Sequence, residues 1–330
     1  MLRPVGPPAG SDTAVWDWRG ERTLGRIAFR GGAMTTDWLR GVFPPIPTPF
    51  DEVGALALNR LRGNITIWST HSLSGLVVLG SNGEAVHLNR DERRGLIATA
   101  REAAPEAWPI IAGCGALSTR ETIENCSDAA EAGAHAALVL PPSYYRSQMT
   151  PDGLTAHFEA VADASPVPVI VYNMPACTGI DLDAQTIARI GEHRNVIGLK
   201  DSSGNVTKLA TLRGLVRADF RILAGSAGFF LPALSVGADG GVLALANIAP
   251  ENCVAIYEAF RAGDLEKAQE IQLRLVELNT AVTARHSVPG LKAAMDLLGL
   301  FGGPVRAPLQ PASRDVKGAI EALLRGAGLL

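Results

Sequence analysis

Lys200 closes an apolar, strand-like run, Val196-Ile-Gly-Leu-Lys200, and Asp201-Ser-Ser-Gly204 follows at once. Only five of the 30 basic residues are lysines, and none of those five falls within residues 1–199. A composition that meets its ordinary need for positive charge with arginine marks this lysine as chosen for chemistry. A guanidinium cannot be deprotonated, whereas an ammonium in a poorly solvated pocket gives up its proton more readily and then attacks a carbonyl carbon as a free amine. Lys200 is therefore a candidate Schiff-base nucleophile. The competing reading is a strand-end lysine that reaches solvent or pairs with Asp201.

The chemistry needs partners, and the chain offers them at similar punctuation points. Tyr172 lies in Val171-Tyr-Asn-Met-Pro175, Ser81 and Asn82 in Gly80-Ser-Asn-Gly-Glu84, and two tyrosines in Pro141-Pro-Ser-Tyr-Tyr145. A further glycine turn is Ala224-Gly-Ser-Ala-Gly228. A protonated imine on Lys200 would act as an electron sink for making or breaking the neighbouring carbon–carbon bond. Tyr172 could carry a proton to and from the reacting oxygen. Backbone amides around Ser81 and Asn82, between two glycines, could cradle a carboxylate. A 2-oxo acid would satisfy every part. Taken singly, each feature also has a plainer reading: Tyr172 as a core aromatic with a satisfied hydroxyl, and the glycine stretches as ordinary turns.

These residues act together only if the fold brings them to one place. From residue 42 the chain alternates between short apolar runs and longer stretches of helical period. The strand candidates are 42–50, 73–80, 109–115, 134–141, 167–173, 196–200, 220–225 and 241–247. Continuous hydrophobic strands imply burial on both faces, as in a parallel sheet covered by helices. Asn89 with Glu92 and Ser118 with Glu121 have capping-box spacing, Thr150-Pro151 pairs a cap with a first-turn proline, and Gly133 and Gly237 stand at helix ends. Eight βα units in about 250 residues predict a (β/α)8 TIM barrel rather than an open sheet. The helical stretches 265–280 and 288–298 predict a C-terminal helical extension, giving a barrel over 34–250 and a helical region over 251–330. In such a barrel the active site forms at the C-terminal ends of the strands, where all the candidates lie.

The rest of the composition excludes other classes. The chain has 330 residues, 47% hydrophobic and 19% charged, with a net charge of −3 and no block of like charge. Nothing there suits a nucleic acid or an anionic membrane surface, and no apolar stretch is long enough to span a bilayer. Cys114, Cys126, Cys177 and Cys253 lack metal or disulfide-framework spacing, which fits a reducing, cytoplasmic setting. The six histidines show no metal-ligand spacing, and Gly113-Cys-Gly115 lacks the third glycine of a dinucleotide fingerprint, so neither a metal nor a nicotinamide cofactor is expected. Residues 1–33 are rich in Pro, Gly and Arg without a sustained period. They are read as a disordered extension; an organelle-targeting segment, which would make the protein mitochondrial, is the alternative, though Asp12, Asp17 and Glu21 dilute that pattern.

From residue 41 to the end the chain resembles the lysine-dependent aldolase family that includes dihydrodipicolinate synthase and N-acetylneuraminate lyase. The resemblance rests on Gly80-Ser-Asn-Gly-Glu84 for G-x-x-G-E, Tyr172-Asn-Met-Pro for Y-N-x-P, and Gly198-Leu-Lys200-Asp-Ser for G-x-K-[DE]-[ST]. Within the family, Ser81-Asn82, Lys200-Asp-Ser202, 223–228, 244–247 and 302–309 are most similar to 4-hydroxy-2-oxoglutarate aldolases. The resemblance implies Lys200 as the imine-forming lysine, Tyr172 as the proton-transfer residue, and a hydroxyl relay completed by Ser81 and by Tyr144 lent from a neighbouring subunit. Tyr145 takes that part if the loop aligns one residue later. Asn82, Ser202 and the Gly225 backbone match substrate-contacting positions, and the family's assembly implies a homotetramer built as a dimer of dimers.

One departure stands out. Dihydrodipicolinate synthases resemble this chain except that they carry an arginine at the position of Cys177, where it holds a second carboxylate. A thiol cannot form that bidentate pair, so lysine biosynthesis is not expected. The expected reaction is the reversible cleavage of 4-hydroxy-2-oxoglutarate to pyruvate and glyoxylate. The stretch Gly83-Glu-Ala-Val-His87 also resembles relatives that cleave 2-oxo-3-deoxy sugar acids, which keeps such an aldolase or dehydratase as the alternative. A non-catalytic 2-oxo acid binding homologue is the third reading, disfavoured because Lys200, Tyr172 and Ser81 are all present.

Overall fold

The computed structural model describes residues 36–330. The extension over residues 1–33, with its expected disorder or targeting role, lies outside them. Among the described residues eight strands occur: β1 (Gly41–Phe43), β2 (Leu76–Val78), β3 (Ile110–Gly113), β4 (Ala136–Val139), β5 (Val169–Asn173), β6 (Val196–Asp201), β7 (Arg221–Ala224) and β8 (Gly240–Val242). Every neighbouring pair is parallel, in the order β1-β8-β7-β6-β5-β4-β3-β2. The ring closes between β1 and β2 through a parallel bridge at Pro45 and Val77, with Val77 donating to the Pro44 carbonyl at 3.0 Å and Ile46 to the Val77 carbonyl at 2.9 Å. This is the TIM barrel expected of eight βα units.

Two apolar layers hold it. Leu39, Phe43, Val77, Ile111, Leu138, Ile170, Ile197, Leu223 and Val242 fill the barrel interior. Alternate residues of the same strands face outward and pack against the helices through side chains such as Ile65, Trp68, Leu96, Phe158, Phe220 and Phe230. Burial on both faces is why the strands read as unbroken apolar runs.

The strands are shorter than the sequence suggests, and the reasons are local. The first ends at Phe43 because Pro44 and Pro45 bring no N–H to a ladder. The eighth was expected to run to Asn247, but Ala244–Asn247 forms a 3-10 turn, with the Asn247 amide bonded to the Ala244 and Pro45 carbonyls. Helix ends follow their caps. The Asn89 side chain accepts from Glu92 N at 2.9 Å while Glu92 returns a bond to Asn89 N, a complete capping box, and Ser118 and Thr150 cap their helices from the side chain. Beyond the eighth strand come the helices Pro250–Arg261, Leu265–Thr280, Ser287–Leu297 and Arg314–Gly326. None of the helices in the described residues is long and apolar enough to cross a membrane.

Candidate active site

Lys200 and Tyr172 meet because of an irregularity in β6. Val196 pairs with Val169, but Ile170 pairs with Gly198, so Ile197 is an extra residue on the β6 side. One extra residue reverses the inward–outward alternation of everything after it. Val196 faces outward and Ile197 inward; Leu199 then faces outward, beside Val171, and Lys200 is in register with the inward-facing Tyr172. Without the bulge, strict alternation from Ile197 would turn Lys200 out toward the helices.

Lys200 is 3% exposed, and its Nζ stands 3.9 Å from the centroid of the Tyr172 ring. It has no carboxylate within ion-pairing distance among the described residues. The two plainer readings of this lysine therefore fail: it is buried, and Asp201 pairs elsewhere. Asp201, one residue on and facing the opposite way, is fully buried and binds Lys208 Nζ at 2.9 Å. Lys208 also binds Asp181 at 2.6 Å, and Asn173 donates to Asp181 at 2.7 Å and to Asp201 at 2.9 Å. Ser203 completes the set, its N–H and hydroxyl both reaching Asp201 Oδ1. This network ties the ends of β5 and β6 to the helix Val206–Arg213 and fixes the two strand ends that carry Tyr172 and Lys200. Burial raises the Asp181 carboxyl while Lys208 and Asn173 lower it more, leaving it below its ordinary value.

Sequence reasoning missed this support. Its signals were Asn173 and Asp201, each next to a chosen residue, and Lys208, one of only five lysines.

The remaining candidates assemble at the same end of the barrel. Ser81 Oγ lies 3.4 Å from the Tyr172 hydroxyl, a long hydrogen bond that links β2's loop to β5. Ser81–Gly83 forms a single 3-10 turn, and the N–H groups of Ser81 and Asn82, the first two of that turn, have no acceptor among the described residues. Ser202 follows β6, and its hydroxyl oxygen is buried without a partner in the described residues. A buried hydroxyl left unpaired costs free energy, so such a group marks a place where an acceptor is missing. It lies directly over Gly225, where a methyl group would collide with it, and Gly225 N donates to the Asp201 carbonyl at 2.6 Å. Glycine at 225 is what leaves room for the hydroxyl.

Tyr144 and Tyr145 are placed differently. They are 73% and 69% exposed, stack edge to face at 5.0 Å between centroids, and Tyr144 makes no hydrogen bond to Ser81 or Tyr172 within the described chain. Cys177, in the turn after β5, is exposed. No group of three or more His, Cys, Asp and Glu side chains among the described residues could hold a metal ion.

An amine against an aromatic ring, a tyrosine–serine hydroxyl pair and free amides at one barrel mouth can form an imine, move a proton and hold an anion. The model of the dihydrodipicolinate synthetase family matches residues 38–327. The chain belongs to the dihydrodipicolinate synthetase family. It is 36% identical over 277 residues to a 4-hydroxy-tetrahydrodipicolinate synthase of Methanothrix thermoacetophila, covering 84% of this chain and 92% of that one. It is 38% identical over 288 residues to a probable mitochondrial 4-hydroxy-2-oxoglutarate aldolase of Emericella nidulans, covering 86% and 93%. It is 36% identical over 301 residues to an L-threo-3-deoxy-hexylosonate aldolase of Hypocrea jecorina, covering 87% and 95%. Among solved structures, a dihydrodipicolinate synthase from Thermotoga maritima superposes with a TM-score of 0.84 at 30% identity, covering 88% of this chain and 99% of that one. As a member of this family the protein is a lyase of the class I aldolase type. The three relatives act on different substrates at nearly equal identity, so membership alone does not choose among them.

Proposed function

We propose that the protein cleaves 4-hydroxy-2-oxoglutarate reversibly to pyruvate and glyoxylate through an imine on Lys200. The Lys200 amine adds to the C2 carbonyl, and loss of water leaves a protonated imine. The Tyr172 hydroxyl takes the proton from the C4 hydroxyl as the C3–C4 bond breaks and passes its own through Ser81 to solvent, from which the proton for C3 later returns. The bonding electrons pass into the imine to give an enamine, and glyoxylate departs. Protonation at C3 and hydrolysis then return pyruvate and the free amine. The Ser81 and Asn82 amides would hold the C1 carboxylate, with the unpaired Ser202 hydroxyl and the Gly225 backbone beside it. The observation that carries the imine is the position of Lys200: buried, against Tyr172, without a carboxylate partner.

The far end of the substrate is supported by a second cation. The Arg146 guanidinium lies against Gly179, where a methyl group would collide with it, two residues beyond Cys177 in the turn after β5. It has no ion-pair partner in the described residues. A mouth whose arginine comes from the β4 loop, rather than from the Cys177 position, suits a distal carboxylate. The alternative is a 2-oxo-3-deoxy sugar acid aldolase or dehydratase, favoured by the Hypocrea jecorina relative. Assaying both substrate classes for pyruvate release and for water loss separates them. The proposal expects pyruvate release fastest from 4-hydroxy-2-oxoglutarate; faster release from a deoxy sugar acid, or loss of water, would overturn it.

We further propose a homotetramer, a dimer of dimers in which Tyr144 reaches the Ser81–Tyr172 pair of a neighbouring subunit. Its support is a row of exposed apolar side chains on three consecutive mouth loops: Val86 after β2, Leu117 after β3, and Tyr144 and Tyr145 after β4. Contiguous exposed apolar and aromatic groups mark interfaces. A sedimentation mass of one chain would sink this arrangement.

A further inference from the structure

The motif Gly302–Leu309 and the glutamate of Gly80-Ser-Asn-Gly-Glu84 have no role in the chemistry so far, yet they meet behind the carboxylate cradle. Glu84 ends the Ser81–Gly83 turn in a left-handed backbone conformation, φ 52°, which a non-glycine residue adopts only when its surroundings enforce it. Its side chain is fully buried. Glu84 Oε1 binds Lys292 Nζ at 2.7 Å, and Glu84 Oε2 accepts the Arg306 N–H at 2.8 Å. Lys292, 1% exposed, also donates to the Pro304 carbonyl at 2.7 Å and stands 4.7 Å from the centroid of the Phe50 ring, with the Arg306 guanidinium 4.3 Å from the same ring. Arg306 in turn holds Glu92 and the His87 carbonyl. The close approach of this segment needs a glycine at 302, where a methyl group would collide with the Lys292 carbonyl, and Asp296 anchors Gly302 N at 2.8 Å. One more tie comes from the other side: Thr48 Oγ1 donates to the Gly83 carbonyl at 2.6 Å.

A fully buried ion pair is weak evidence for stability, because desolvating both charges offsets most of their attraction. Burial pulls the Lys292 amine below its ordinary pKa, and Glu84 works against that pull. The pair is better explained by what it holds in place. The two free amides of the cradle belong to the turn that Glu84 terminates, and their direction depends on a backbone conformation that Glu84 would not keep unaided. We propose that Lys292 and Glu84, braced by the 302–306 segment, are positioning residues that aim the Ser81 and Asn82 amides and so set the affinity for the 2-oxo acid carboxylate. This inference rests on the aldolase reading.

The test measures borohydride trapping of pyruvate on the full-length protein as a function of pyruvate concentration, alongside thermal unfolding. In the double variant Glu84→Gln/Lys292→Met no buried charge is left unpaired, so its melting temperature stays near that of the parent. Its half-saturating pyruvate concentration rises about 10-fold or more, the scale expected when charge-assisted hydrogen bonds to a carboxylate are lost, while the trapping rate at saturation changes little. A folded double variant with unchanged half-saturation overturns the proposal, as does one that loses only the saturating rate. Thr48→Val, which removes the tie to Gly83 alone, gives the same reading if the double variant does not fold: a raised half-saturation is expected, and an unchanged one overturns the proposal. Absence of any adduct in the parent protein would instead remove the aldolase reading itself.

Discussion

Three of the five lysines are buried, and they are not alike. Lys208 and Lys292 are 8% and 1% exposed, and each touches a fully buried carboxylate, Asp201 at 2.9 Å and Glu84 at 2.7 Å. Lys200 is 3% exposed and faces an aromatic ring instead. A carboxylate in contact holds the ammonium group and the side chain that carries it in place; the Tyr172 ring leaves Lys200 Nζ without an ion-pair partner among the described residues. The difference separates two uses of one residue type. Lysines paired with carboxylates brace loops, and the lysine without one is free to act as an amine. Both braces stand directly behind the site, Lys208 beneath the strand ends that carry Lys200 and Tyr172, and Lys292 beneath the cradle.

Substitution should pull these roles apart. Lys200→Met is expected to lower kcat by roughly 10⁴-fold or more, as for loss of a covalent nucleophile, while leaving the unfolding free energy within about 1 kcal/mol, because no partner charge is orphaned. A large loss of stability in this variant would mean that Lys200 is a structural lysine after all. Tyr172→Phe keeps the ring under the amine and removes only the hydroxyl that Ser81 contacts. Its kcat should fall about 10²- to 10⁴-fold, the range for a positioned acid–base group, with pyruvate trapping retained; unchanged turnover would remove Tyr172 from the proton path. Lys208→Met gives the mirror image of the first change. It strands Asp201 and is expected to cost about 3–5 kcal/mol in denaturant unfolding, with the residual folded enzyme still forming the adduct. A neutral effect on stability would deny the bracing role.

Much of this is legible in the amino-acid sequence. Near-continuous apolar runs announced strands buried on both faces, their number announced the barrel, and strand-end placement put Lys200, Tyr172 and Ser81 at one mouth. The helix from Leu265 to Thr280 falls where its period places it. Other features left no trace. The extra residue at Ile197 cannot be seen in a run that is apolar at nearly every position, because a strand buried on both faces carries no alternation to break. The 3-10 turn that replaces the end of the eighth strand is equally silent, since Ala244-Leu-Ala-Asn247 suits either state. The pairings of Asp201 with Lys208 and Glu84 with Lys292 are long-range or cross-element, and residue type alone suggests charge without naming its partner. Lysine scarcity and the adjacency of Asn173 and Asp201 to chosen residues are the available hints, and scarcity covers the exposed Lys267 and Lys317 as well as the three buried sites.

The central claim is that only one of the buried lysines forms an imine. Borohydride reduction of the native protein with pyruvate, followed by peptide mass analysis, reads that directly. The account predicts a single reduced pyruvate adduct on Lys200 and none on Lys208 or Lys292. An adduct on either brace, or a folded protein that carries no adduct at all, would contradict it.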